Sequence, residues 1–210
     1  MRLTIDGKER TGINQKSVLA ELLPITTVSA NVQRISNILG VDDFTGITIF
    51  LDHARDAATA FAGAGTEYRI ESSEKDTGND TWRTLYSVVC GIAAASSIVM
   101  DAQEEIGATR IETGATLPAK GDIVFFKNAT IANSEWAKVT AVNTTAGTEY
   151  FDILDGLTYV QPAITLFNMA ETFVLTLNIK TIKRIRAVVN NNNGTTNQPI
   201  VSRIAAIAAG

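Results

Sequence analysis

Apolar and polar side chains alternate with a period of two along much of this chain, which is the pattern of strands with one wet face. GITIFLDHA (46–54) puts Ile47, Ile49 and Leu51 on one parity. TEYRIESS (66–73) sets Tyr68 and Ile70 against Glu67, Arg69 and Glu71. Phe173, Leu175 and Leu177 share a parity further on, as do Ile185, Ala187 and Val189. Abundant Thr, aromatics in short runs and only 4 Pro agree with a mainly β fold. One stretch predicts a helix instead. SVLAELLP (17–24) has Ser17 as a capping residue and Pro24 as a stop.

The alternation falls into blocks. Residues 1–28 read as an N-terminal arm, with Leu3 and Ile5 alternating before the Asp6-Gly7 turn. Residues 29–95 carry about four strands, with a Gly-rich turn at AFAGAG (60–65). EKDTGND is dense in turn formers, and TWRTLYSVV restarts a strand with Trp82 and Leu85 as expected core anchors. Residues 96–167 hold short strands, KGDIVFFKN, SEWAKVTAV, GTEYFDIL and LTYV, which suit a small barrel. Residues 168–210 add about three strands, with Asn190–Asn193 and Gly194 as a hairpin signal. Four strands and three make no comfortable sandwich separately. Together they give the roughly seven of an immunoglobulin-like sandwich, with 29–95 and 168–210 as its halves and 96–167 inserted. Two consecutive domains are the rival arrangement.

The bulk numbers exclude several classes. A net charge of −4 argues against a dedicated nucleic-acid binder. Cys90 is the only cysteine, so neither an internal disulfide nor a cysteine-based zinc site is possible. The N-terminus lacks the apolar core of a secretory signal, and cytoplasmic synthesis is expected. The longest apolar stretch, 88–100, falls short of the ~20 residues a bilayer-spanning helix needs, so no membrane segment is expected.

Four constellations could carry chemistry. Asp52-His53, with Arg55 and Asp56 nearby, is the one place for a histidine base. Nothing in the sequence sets Ser72 or Ser73 beside His53, and a single histidine at a strand end reads as a surface or capping residue. Acidic residues at Asp42-Asp43, Asp76/Asp80 and Asp101/Glu104/Glu105 miss the spacing of a calcium loop. KTIKRIR (180–186) would put Lys180, Arg184 and Arg186 on one strand face, either a solvated row or a contact for an acidic subunit. The AGAG turn lacks the Lys of a phosphate loop. No catalytic residue, cofactor or metal is expected from these patterns, and the chain reads as a non-enzyme.

TEYRIESSEKDTGNDTWRTL (66–85) resembles the central hairpin of immunoglobulin-like and fibronectin type III-like modules, where a Tyr strand, a polar turn and a Trp strand follow one another. KGDIVFFKN…SEWAKVTAV…FDIL resembles SH3-like small barrels. The whole, rich in Thr, Ala and Asn with one Cys, resembles tailed-bacteriophage virion proteins. That resemblance implies a capsid decoration (cement) or minor head or tail protein in the virion, whose partners are other virion proteins and copies of itself. It implies no catalytic residues; function would lie in extended contacts. Leu3, Ile5, Lys180, Arg184, Arg186, Asn191 and Asn192 are the expected subunit contacts. The alternative is a glycan- or host-surface-binding module using Trp82 or Trp136 as a stacking platform.

Overall fold

The computed structural model describes residues 17–55, 65–78, 81–91, 98–114, 117–162, 166–192 and 199–210, with side chains undescribed at 98–99 and 166–169. The backbone is also described at 4–5 and 8–9. The strands are β1 (Thr4–Ile5), β2 (Lys8–Glu9), β3 (Ser17–Val28), β4 (Gln33–Ile35), β5 (Leu39–Gly40), β6 (Gly46–Arg55), β7 (Thr66–Ser73) and β8 (Arg83–Cys90). They continue with β9 (Ile98–Val99), β10 (Arg110–Glu112), β11 (Ile123–Lys127), β12 (Glu135–Asn143), β13 (Tyr150–Ile153), β14 (Leu166–Asn178), β15 (Arg184–Asn191) and β16 (Ile200–Ala209). Among the described residues the one helical element is a 3-10 turn, Ile131–Asn133. The fold is mainly β, and no helix is long and apolar enough to cross a membrane.

All these strands pair antiparallel. A nine-stranded sheet runs β10-β13-β12-β11-β14-β6-β16-β3, with β9 also on β14. A five-stranded sheet runs β4-β15-β7-β8, with β5 also on β15. The two sheets face each other across one core. Ile47, Ile49, Leu51, Ile204 and Ala206 meet Tyr68, Ile70, Ile185, Ala187 and Val189 there. A second core gathers Met100, Ile111, Val124, Phe126, Val139, Phe151, Ile153 and Leu157 within the segment that carries β9 to β13.

The 13-residue strand β14 links the two regions. Its first part pairs with β11 up to Ala170, opposite Ile123, and from Ala170 onward it pairs with β6. The sheet curls beyond this strand. β11, β12, β13 and β10 follow in order, and the bridge between Met100 and Thr113 returns the chain beside β9. A buried polar knot pins this curl. Asn128 Nδ2 donates to Gln161 Oε1 at 3.2 Å, and Gln161 Nε2 donates to Glu135 Oε1 at 2.9 Å.

Several expectations are corrected. Residues 17–24 are strand, not helix. β3 pairs along β16, which gives Leu22 and Leu23 a core to enter. Pro24 lies where the ladder shifts register between the Ser202–Thr26 and Ile204–Leu23 pairs, so its missing N–H leaves no gap. Asn190 and Asn191 belong to β15, while residues 193–198 lie outside the described set. β15 and β16 sit in different sheets, so this connection crosses between sheets and is not a hairpin. Leu85 is 40% exposed because it lies on the outward parity of Ser87 and Val89, while Tyr86 and Val88 pair with the core residues Ile70 and Tyr68. TEYRIESSEKDTGNDTWRTL does form a hairpin, β7 with β8.

Candidate functional site

Strand parity carries His53 inward. It follows Ile47, Ile49 and Leu51 on β6 and is 0% exposed, so the expected surface or capping role is corrected. Its ladder partners are Glu171 on β14 and Ser202 on β16. Glu171, His53 and Ser202 therefore form one polar row across three strands. Tyr68 faces the row from the opposite sheet, its Oη 2.8 Å from His53 Nδ1, with the rings edge to face at 5.6 Å. The buried Cys90 thiol and the Glu171 carboxyl interact electrostatically.

Burial governs the protonation states here. His53 is pushed down to about 3, first by desolvation and then by the Arg55 charge. It is a neutral imidazole at pH 7. Burial raises Tyr68 well above the usual phenol range and raises Cys90 and Glu171 too. Serine, histidine and glutamate are the residue types of a hydrolytic triad. Ser202 and His53 are both fully covered, however, and cannot touch a substrate in this conformation. Ser72 and Ser73 lie four and five residues along β7 from Tyr68, roughly 13 Å or more away. Ser73 Oγ instead meets Thr81 Oγ1 at 2.8 Å.

The outer face of the same strands has a different character. Asp52 alternates outward, and its Oδ2 accepts from Arg203 Nε at 2.8 Å and Nη2 at 2.5 Å. Burial raises the Asp52 carboxyl, and Arg203 opposes that shift. Trp136 of β12 stands beside the pair. Its Nε1 donates to the His53 carbonyl at 3.2 Å, its ring tilts on Phe125 at 4.6 Å, and Arg203 lies 5.5 Å from its centroid.

The expected contact residues have mixed fates. β15 starts only at Arg184, so Lys180 sits exposed in the preceding turn and the three-residue basic row does not form. Arg184 donates to the Lys75 and Gly78 carbonyls at 2.7 and 2.8 Å, which closes the β7–β8 turn. Arg186 contacts Glu71 Oε2 through Nε and Nη2, both at 2.8 Å. Both arginines lie over Trp82, at 5.1 and 4.2 Å. Asn191 is buried and donates to the Val28 carbonyl at 3.0 Å, whereas Asn192 is exposed. Arg184, Arg186 and Asn191 thus each make contacts within the chain. Ile5 pairs through its backbone with Lys8, and Leu3 lies outside the described residues. Among the described residues no group of three or more His, Cys, Asp or Glu could hold a metal ion. Asp56 and Asp80 lie outside the described set.

Sequence reading missed Glu171, Ser202 and Arg203. The first two had a signal: each is a polar residue on a parity otherwise apolar, beside Phe173 and between Ile200 and Ile204. Arg203 had none, because its partner lies 151 positions away.

No known family matches this chain, and no curated protein matches its sequence. Among solved structures, the infectious bursal disease virus VP2 subviral particle aligns at 7% identity and a TM-score of 0.26, over 99% of this chain and 46% of that one. The Gt strain of the same virus gives 8% and 0.25, over 99% and 45%. VP17, a capsid protein of bacteriophage P23-77, gives 9% and 0.18, over 94% and 97%. The chain spans less than half the length of the two bursal disease virus chains. Scores this low establish neither a shared fold nor a shared function.

Proposed function

We propose that this chain is a non-enzymatic structural protein that assembles by strand addition, with a phage virion as its setting and a capsid decoration (cement) or minor virion role. The observation that carries the assembly reading is the edge strand β8. Among the described residues it has a ladder partner on one side only, and Thr84–Cys90 holds no charge and no proline, the usual guards of an edge. Leu85, Tyr86 and Val89 are 40%, 36% and 58% exposed there. Such an edge can accept a neighbour's strand through main-chain hydrogen bonds. The virion setting rests on the compositional resemblance alone.

Within this reading, the two facing sheets are an immunoglobulin-like sandwich, residues 96–167 an inserted SH3-like barrel and 1–28 an arm. The separate second core and the Met100–Thr113 bridge support the insert. The test is co-purification. In cells making the intact particle, the protein should be recovered with it in fixed stoichiometry; recovery only as a free monomer would refute the reading.

A further inference from the structure

We infer that the outer groove beside Trp136 is a binding site for a neutral pyranose sugar. The inference does not depend on the assembly role. The groove encloses about 280 Å³ where the sheet curls between β6 and β12, and its lining includes Phe50, Asp52, Trp136, Thr172, Val174 and Arg203. That is close to the ~300 Å³ at which small-ligand clefts begin, so it suits about one ring.

Three features define the occupant. Both guanidinium contacts fall on Asp52 Oδ2, so Oδ1 accepts no hydrogen bond among the described residues. Arg203 remains 41% exposed at its side chain. A carboxylate acceptor and a guanidinium donor therefore lie side by side. Two adjacent hydroxyls on one ring match that pair, one donating and one accepting. Because the charges balance each other, the pair favours a neutral ligand over an ionic one. Apolar contact is supplied at the same place by Trp136, Phe50 and the 66% exposed Val174, which suit the CH faces of a sugar. Trp136 is held in position by its Nε1 bond to the His53 carbonyl, so the platform costs little ordering on binding.

The chain has 2 Trp, so Trp82→Phe leaves Trp136 as the single indole reporter. This variant is titrated with the methyl glycosides of glucose, galactose, mannose and N-acetylglucosamine. The expected result is a saturable fluorescence change for at least one glycoside, with Kd on the order of 1–10 mM. In the same background, Asp52→Asn should weaken binding at least about tenfold, which is about 1.4 kcal/mol. Arg203→Lys keeps the charge but loses the planar fork, and should weaken it similarly. Circular dichroism checks that each variant is folded. No saturable change with any glycoside up to roughly ten times that Kd range would overturn the inference. So would binding that both folded variants retain at full strength.

Discussion

His53 on β6 and Tyr68 on β7 join the two sheets through a buried 2.8 Å hydrogen bond between Nδ1 and Oη. One donates to the other, and neither can reach water from the interior. Tyr68→Phe removes the hydroxyl and leaves His53 Nδ1 buried without that partner. The expected cost is about 1–3 kcal/mol in urea unfolding. A change within error would mean that the bond contributes nothing net.

The same histidine makes stability depend on pH. Its folded value is about 3, below its ordinary 6.5, so the unfolded chain binds the proton more readily. Stability from this group is therefore present above pH 6.5 and falls by up to about 1.4 kcal/mol per unit as pH drops toward 3. Glu171 and Asp52 are raised by burial and act in the opposite sense, gaining as pH falls. Comparing wild type with His53→Gln isolates the histidine. The stability difference should shrink in favour of the variant between pH 7 and about pH 5; a constant difference would contradict a buried neutral imidazole.

Glu71 and Arg186 form an ion pair whose side chains are only 10% and 17% exposed. Removing one partner strands the other charge. Glu71→Ala should destabilise the chain by about 3 kcal/mol, whereas Trp82→Phe keeps an aromatic face under Arg186 and should cost about 1 kcal/mol or less. Chemical unfolding of both variants checks the ranking.

Gly65 has φ +79°, and a Cβ there would stand 2.6 Å from the Cys90 carbonyl oxygen. Gly65→Ala should cost about 1–3 kcal/mol from backbone strain alone, before the clash is counted. A thermal melt equal to wild type would show that the β7–β8 end can shift to accommodate it.

Much of the β character was legible because alternation is a local property. Ile47, Ile49 and Leu51 reported their own orientation, but His53 on the same parity was read as a surface or capping residue because its polar ring masked the pattern. The hairpin at 66–85 was equally local, since its turn formers and both strands are contiguous. Ser17–Pro24 was misread as helix because Leu19, Leu22 and Leu23 also fit helical spacing, and only the distant β16 decides between the two. Asn190–Asn193 signalled a turn without saying that it joins different sheets. The Asp52–Arg203–Trp136 grouping was not legible at all, because it draws on strands separated by the curl of the sheet.

The central claim is assembly through the β8 edge, and the molar mass of the purified chain in solution tests it most directly. Light scattering should give a whole-number multiple of the single-chain mass, and Val89→Lys should reduce it to one chain without lowering thermal stability. Val89 is 58% exposed, so the lysine meets water in the free chain and blocks only an incoming strand. A wild-type mass of a single chain at every concentration, or an oligomer that Val89→Lys leaves intact, would contradict the account.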